Sequence, residues 1–378
     1  MKTFQEDFDF LKQYTDVIVL EKGDCKLLLC PEFQGRVLTS TSEGWQGKSN
    51  GWINYDLIAS GQTHPFLNAY GGEDRIWLGP EAGQFGLFFK NGEPFDVAHA
   101  KTPAALDREA FDIQKKINKT GIQFNKKFSC LNYSNYEFHL ELNRKVQLLD
   151  DVDFLYNKAV ENIQYIGYRS QNKLTNKGNE GWSKETGLLS LWSIGMFPAS
   201  PNSQVIIPLD SDNSDKAGKT SVSSYFSVLN EGRLKTKDGV LYFLGDGNFR
   251  SKIGIQSKDA GAFICGLDLS RQSLSIIRFK KSDETDFVNS LWEIQDKPYG
   301  GDLLNSYNDG PNDKGESLGV FYELESSSPA LQLQSEESYT HWQEIWHFSA
   351  EPEKLLGLLK DLIPNFQAEF LFGNHWES

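Results

Sequence analysis

The chain has 378 residues, of which 39% are hydrophobic and 24% charged, an ordinary globular composition that excludes a disordered chain. Its 38 basic and 52 acidic residues leave a net charge of −14, a field that repels phosphate backbones and argues against nucleic acid and anionic membranes as partners. No apolar run approaches the roughly 18 residues of a membrane-crossing helix. Four cysteines without a CxxC pair exclude a disulfide-dense scaffold and a thiolate zinc site, and their apolar neighbours read them as small buried hydrophobes. The opening MKTFQEDFDFLKQY has acids where a signal peptide has its apolar stretch. The chain therefore reads as cytoplasmic as written, or as periplasmic or secreted if a leader preceded it.

Aromatic residues make up 13% of the chain and suit pleated, half-buried surfaces. Residues 4–14 place Phe4, Phe8 and Leu11 near one stripe and predict a helix. Strand patterns follow at 17–21, 26–30 and 121–127. In 136–142, Phe138, Leu140 and Leu142 take one face while His139 and Glu141 take the other, and Val146 and Leu148 follow in the next run. Further strands are predicted at 204–208, 240–244, 262–267, 274–279, 320–324 and 342–348, with polar loops at 210–219 and 307–319. Residues 351–363 close the pattern as a helix, with Pro352 in its first turn, Leu355, Leu358, Leu359 and Leu362 at helical spacing, and Pro364 as the stop. Helix signals are confined to the two ends, and no βαβ alternation or repeat appears. The prediction is an all-β, mainly antiparallel fold with short terminal helices, one domain over 1–378; two β-domains meeting near 200–220 are the alternative.

Four polar stretches break the amphipathic pattern. In 68–89, Gly71 and Gly72 allow close backbone approach, Trp77 offers an apolar face to a sugar ring, and Glu73, Arg75 and Glu81 offer directed polar contacts. A tight turn with an internal Arg–carboxylate pair fits the same residues. In 168–182, amides and Thr175 suit hydroxyl recognition and Lys177 and Glu180 suit proton transfer, although Asn and Gly make ordinary turns as well. In 319–330, Glu323 and Glu325 are two apart, so a strand points both to one face, where mutual repulsion raises one pKa toward a general-base value. In 299–310, Asp302, Asn305, Asn308 and Asp309 are oxygen ligands suited to Ca²⁺, at spacings that do not fit an EF-hand. No other cofactor is predicted. Of the six histidines, His341 and His347 share a strand face but lie too far apart to share a metal, and His64 and His139 are acid–base candidates.

Several segments are similar to motifs of the galactose-mutarotase-like superfamily, the aldose 1-epimerase relatives. PEFQGRVLTST at 31–41 resembles its early Gly-Arg strand, and GGEDRIWLGPE at 71–81 resembles its Gly-Gly-x-x-Arg-hydrophobic-Trp segment. NKLTNK at 172–177 resembles its Asn-x-x-Thr-Asn-His motif, and LESSSP at 324–329 resembles the segment bearing its catalytic glutamate. The four occur in the family's order, and the whole pattern is similar to an uncharacterised domain-of-unknown-function family within the superfamily.

The resemblance implies a β-supersandwich with a sugar cleft on its concave face. It implies a glutamate that takes the C1 hydroxyl proton and a histidine that protonates the ring oxygen. Glu325 matches the base, Arg75 matches a substrate-binding position, and Lys177 stands where the epimerases carry the acid histidine. The glutamate segment is one residue shorter than the epimerase pattern, which leaves Glu323 as a rival base.

The reading is a carbohydrate-binding protein, an atypical aldose 1-epimerase with Glu325 or Glu323 as base and Lys177 or His64 as acid. Arg75, Trp77, Glu81, Asn172, Asn176, Glu73 and Arg36 are its sugar-binding candidates, and its partner is a small sugar or an oligosaccharide. A polysaccharide lyase or glycoside hydrolase using Glu81 and Glu325, and a non-catalytic carbohydrate-recognition module, are the alternatives.

Overall fold

The computed structural model describes all residues except 1, 65, 151, 153–162, 211–221, 225–228, 313 and 374–378. A capping box opens helix α1 (Phe4–Leu11), with the Thr3 hydroxyl accepting from the Glu6 amide and Glu6 accepting from the Thr3 amide. Strands β1 (Ile18–Lys22), β2 (Cys25–Cys30) and β3 (Arg36–Thr41) form a three-stranded sheet that Phe4 and Leu11 of α1 cover.

Then come helix α2 (Tyr55–Ser60) and strands β4 (Arg75–Gly79), β5 (Asp112–Asn118), β6 (Gly121–Leu131), β7 (Glu137–Leu148), β8 (Gln164–Asn176), β9 (Ser190–Pro198) and β10 (Gln204–Pro208). The chain continues through β11 (Val222–Ser224), β12 (Leu234–Lys237), β13 (Val240–Leu244), β14 (Ser251–Ile255), β15 (Phe263–Asp268) and β16 (Ser273–Phe279). It ends with β17 (Leu304–Asn308), β18 (Phe321–Ser327), β19 (Ser338–Ser349) and helix α3 (Pro352–Leu362). The fold is all-β and antiparallel, as the alternation predicted, with α2 as a short helix that carried no sequence periodicity.

A ten-stranded sheet runs β12-β13-β10-β15-β16-β19-β8-β7-β6-β5, and a six-stranded sheet runs β11-β14-β17-β18-β9-β4. The long sheet joins strands from both sides of residues 200–220. The two sheets pack face to face over a common core that includes Phe138, Leu140 and Leu142 of β7, Ile277 of β16, and Leu324 of β18. The far face of the long sheet is closed by α3, whose Leu355, Leu358 and Leu359 pack with Leu274, Trp346 and Phe348. The cysteines are free, and Cys30, Cys130 and Cys265 are buried. Among the described residues, no helix is long and apolar enough to cross a membrane.

Candidate functional site

Strand alternation gives the six-stranded sheet two chemically different faces. Leu324 and Ser326 of β18 point into the core, where the Ser326 hydroxyl lies 3.0 Å from His341 Nε2 and donates to Gln343 at 3.1 Å. Glu323 and Glu325 point the other way. Antiparallel registry continues that outer face across the sheet. Lys252, Tyr307, Glu323 and Met196 form one row, Glu325, Ile194 and Arg75 a second, and Trp192 and Trp77 a third. Four strands distant in sequence thus bring two cations, two carboxylates and two indoles together.

A cavity of about 510 Å³ lies over this face, roofed by residues from the 54–69, 81–102 and 317–318 segments and by Trp292. That volume falls within the roughly 300–1,000 Å³ of small-molecule sites. Its floor is built of ion pairs. Arg75 Nη2 lies 3.2 Å from Glu323 Oε1, and Lys252 Nζ lies 3.0 Å from Glu325 Oε2. Arg250 Nη2 lies 3.8 Å from Asp309 Oδ1. The Arg75 guanidinium also stacks 3.9 Å from the Trp77 ring centre, so that face of Trp77 is occupied by the protein itself. Trp77 meets Trp192 edge to face, and the Trp192 indole N–H donates to Glu325 at 2.8 Å.

The two glutamates occupy different environments. Glu323 lines the cavity, and burial, opposed by Arg75 and reinforced by Glu325, pushes its carboxyl up to about 7. Glu325 is fully buried behind Lys252 and Trp192 and does not line the cavity. Glu81 does line it, and burial raises its pKa against the pull of Lys252 and a Trp292 hydrogen bond. His64 lies at the exposed rim, its Nδ1 accepting from the Phe66 amide at 3.4 Å. Its loop is anchored by Asn68, which donates to the His64 carbonyl and to Asp107.

The structure therefore gathers Arg75, Trp77, Glu81, Glu323 and His64 around one cavity and places the other candidates elsewhere. Glu73 faces the space between the sheets, with Oε2 2.9 Å from His347 Nε2. Arg36 is buried and donates to the Gly71 carbonyl at 2.7 Å. It also crowds Gly72, where a Cβ would lie 2.7 Å from Arg36 Cδ at a φ of +107°, so only glycine fits. Asn172 is a buried partner of Arg144 at 3.0 Å, a consequence of residues 164–176 being a central strand rather than a turn. Asn176 donates to the carbonyls of Glu180 and Leu333 and ends that strand. Lys177 pairs with Glu336 on the exterior, which raises its pKa, and does not reach the cavity.

His139 bonds Ser129 on an exposed cross-strand pair. Asp309 accepts from the Tyr307 hydroxyl and from the Leu318 and Gly319 amides, and Asn308 donates to Asp246 and the Phe249 carbonyl. Among the described residues, no group of three or more His, Cys, Asp or Glu is placed to hold a metal ion. The residues that sequence reasoning missed are Arg250, Lys252, Trp192 and Trp292. Arg250 and Lys252 alternate into β14, and that period-two spacing was the one available signal.

The profile of a family of unknown function, DUF6786, matches residues 2–364. No curated protein matches the sequence. Among solved structures, the chain is similar to the protein of Escherichia coli K12 described as a "putative aldose 1-epimerase", with a TM-score of 0.54 and 11% identity over 89% of this chain and 99% of that one. It is similar to the Slr1438 protein of Synechocystis sp. PCC 6803, with a TM-score of 0.52 and 14% identity over 89% and 96% of the two chains. It is also similar to a galactose mutarotase-like protein of Lactobacillus casei, with a TM-score of 0.50 and 12% identity over 88% and 100%.

Proposed function

The chain belongs to the DUF6786 family of unknown function and has the galactose-mutarotase-like fold, and on that premise we propose that it binds an aldose in this cavity and moves protons at the anomeric centre. The observation that carries the reading is Glu323, a cavity-lining carboxyl buried enough to titrate at about 7. A group with that pKa exchanges protons efficiently at neutral pH. The ionised Glu323 takes the C1 hydroxyl proton while the Glu81 carboxyl, whose pKa burial raises, gives a proton to the ring oxygen. The C1–ring oxygen bond breaks, the aldehyde rotates about C1–C2, and closure on its other face returns both protons. Arg75 keeps Glu323 in place, and Glu325 is a positioning residue that holds Lys252 and Trp192. The cavity draws on residues from Asn54 to Glu323, so the chain acts as one functional unit in this reading.

The test is anomer interconversion followed by NMR on freshly dissolved aldoses, comparing wild type with Glu323→Gln. Loss of this acid–base group should slow turnover on the order of 10²–10⁴-fold while sugar affinity stays within about tenfold. Wild-type rates at background, with sugar still bound, would instead favour the recognition-module reading.

A further inference from the structure

The proposed chemistry uses only Glu323, Glu81 and Arg75 of the cavity's lining. Along β18, Phe321 precedes Glu323 on the same face, and along β9 Met196 lies two residues beyond Ile194. Met196 and Phe321 join Ala69 and Tyr307 in an apolar cluster separate from the main core, and all four side chains line the cavity. Leu57, Phe66 and Leu67 extend this lining, and Leu318 and Val97 carry it to the surface, where they are 38% and 64% exposed. A free sugar presents hydroxyls on nearly every carbon and would leave these apolar side chains without a matching partner. Apolar side chains held open toward solvent beside a charged floor fit a ligand with one polar and one apolar part.

We propose that the natural ligand is an aldose carrying an apolar substituent, with the sugar ring over Glu323 and Arg75 and the substituent along Met196, Phe321 and Leu318. The inference rests on the carbohydrate reading above. Because that chemistry needs a free C1 hydroxyl, the substituent is attached through another hydroxyl of the sugar.

The experiment measures affinity by calorimetry for glucose, galactose and mannose, for their 6-O-octanoyl esters, and for octan-1-ol. At least one ester should bind on the order of 100-fold more tightly than its parent sugar, the gain from burying about three to four methylene groups. A double variant, Val97→Asp with Leu318→Asp, places charge in the outer part of that compartment and should erase most of the ester-over-parent affinity ratio. Equal affinity for parent and ester, or weaker binding of the ester, overturns the apolar compartment and leaves the carbohydrate reading standing. Octan-1-ol binding as tightly as the ester overturns the carbohydrate reading, and with it the inference. Binding of none of the probes overturns both.

Discussion

The two faces of the six-stranded sheet both border buried charge, and they treat it in opposite ways. On the core side, Arg144 donates from Nε to the Gly35 carbonyl, from Nη1 to Asn172, and from Nη2 to Asp74, which also accepts from Gln343. On the cavity side, Arg75 uses only Nη2, while its Nε and Nη1 have no hydrogen-bond partner among the described residues. A buried arginine with all its nitrogens engaged holds the fold together; one with idle donors beside a cavity has hydrogen bonds left to offer a ligand. Asp74 and Arg75 are adjacent in sequence and fall on opposite sides of this divide.

This contrast fails outright if the core-side network can be cut without cost. Arg144→Ala leaves Asp74 as an unpaired charge in a sealed space, which should lower unfolding free energy by about 3–5 kcal/mol in a denaturant titration. A loss below about 1 kcal/mol would mean that Arg144 does not bolt the core.

Proton linkage probes the cavity side. The Glu323 carboxyl titrates at about 7 in the folded chain against an ordinary 4.5, so the folded state holds its proton more tightly than the unfolded one. That contribution is complete below about pH 4.5 and is lost as pH rises to about 7, a change of about 3 kcal/mol at 1.36 kcal/mol per pH unit. Burial raises Asp74 and Glu81 as well, so the contribution is isolated as the difference between wild type and Glu323→Gln. Denaturant titrations at pH 4.5 and 8 should show wild type losing about 3 kcal/mol more than the variant. Parallel pH profiles would place Glu323 among ordinary surface carboxylates.

Much of the fold was legible, and the reason is visible strand by strand. β7 is solvated on one face and buried on the other, so Phe138, Leu140 and Leu142 stood out as a period of two. β9 is buried along both faces except at Pro198, so its alternation vanishes and the sequence reads as undivided apolar chain. The site was less legible because registry assembles it. Lys252 meets Glu325, 73 residues away, only after β14, β17 and β18 pair. The motif at 71–81 led to the cavity through Arg75, Trp77 and Glu81, whereas the motif at 172–177 led to the core and the exterior.

An intermediate effect belongs to the contact between indole and glutamate beneath the cavity floor. Trp192→Phe keeps an aromatic ring but removes the donor to Glu325, whose Oε1 already has no hydrogen-bond partner among the described residues. The loss should be about 1–3 kcal/mol of stability. Sugar affinity should fall as well, because the Glu325 carboxylate that positions Lys252 is no longer fixed by the indole N–H. Unchanged stability would show that Lys252 alone satisfies Glu325.

Lys177 should matter least, and that makes it a sharp test of which face carries the chemistry. By sequence resemblance it stands where the aldose 1-epimerase motif has its acid histidine, yet its ammonium pairs with Glu336 on the exterior, and that pairing raises its pKa further from the range useful for an acid at neutral pH. Solvent screens such a pair and side-chain entropy offsets its attraction. Lys177→Ala should therefore leave melting temperature, sugar affinity and anomerisation rate at wild-type values. A large loss of turnover with unchanged stability would place the chemistry at the end of β8, away from the cavity, and would exchange the roles of the two regions.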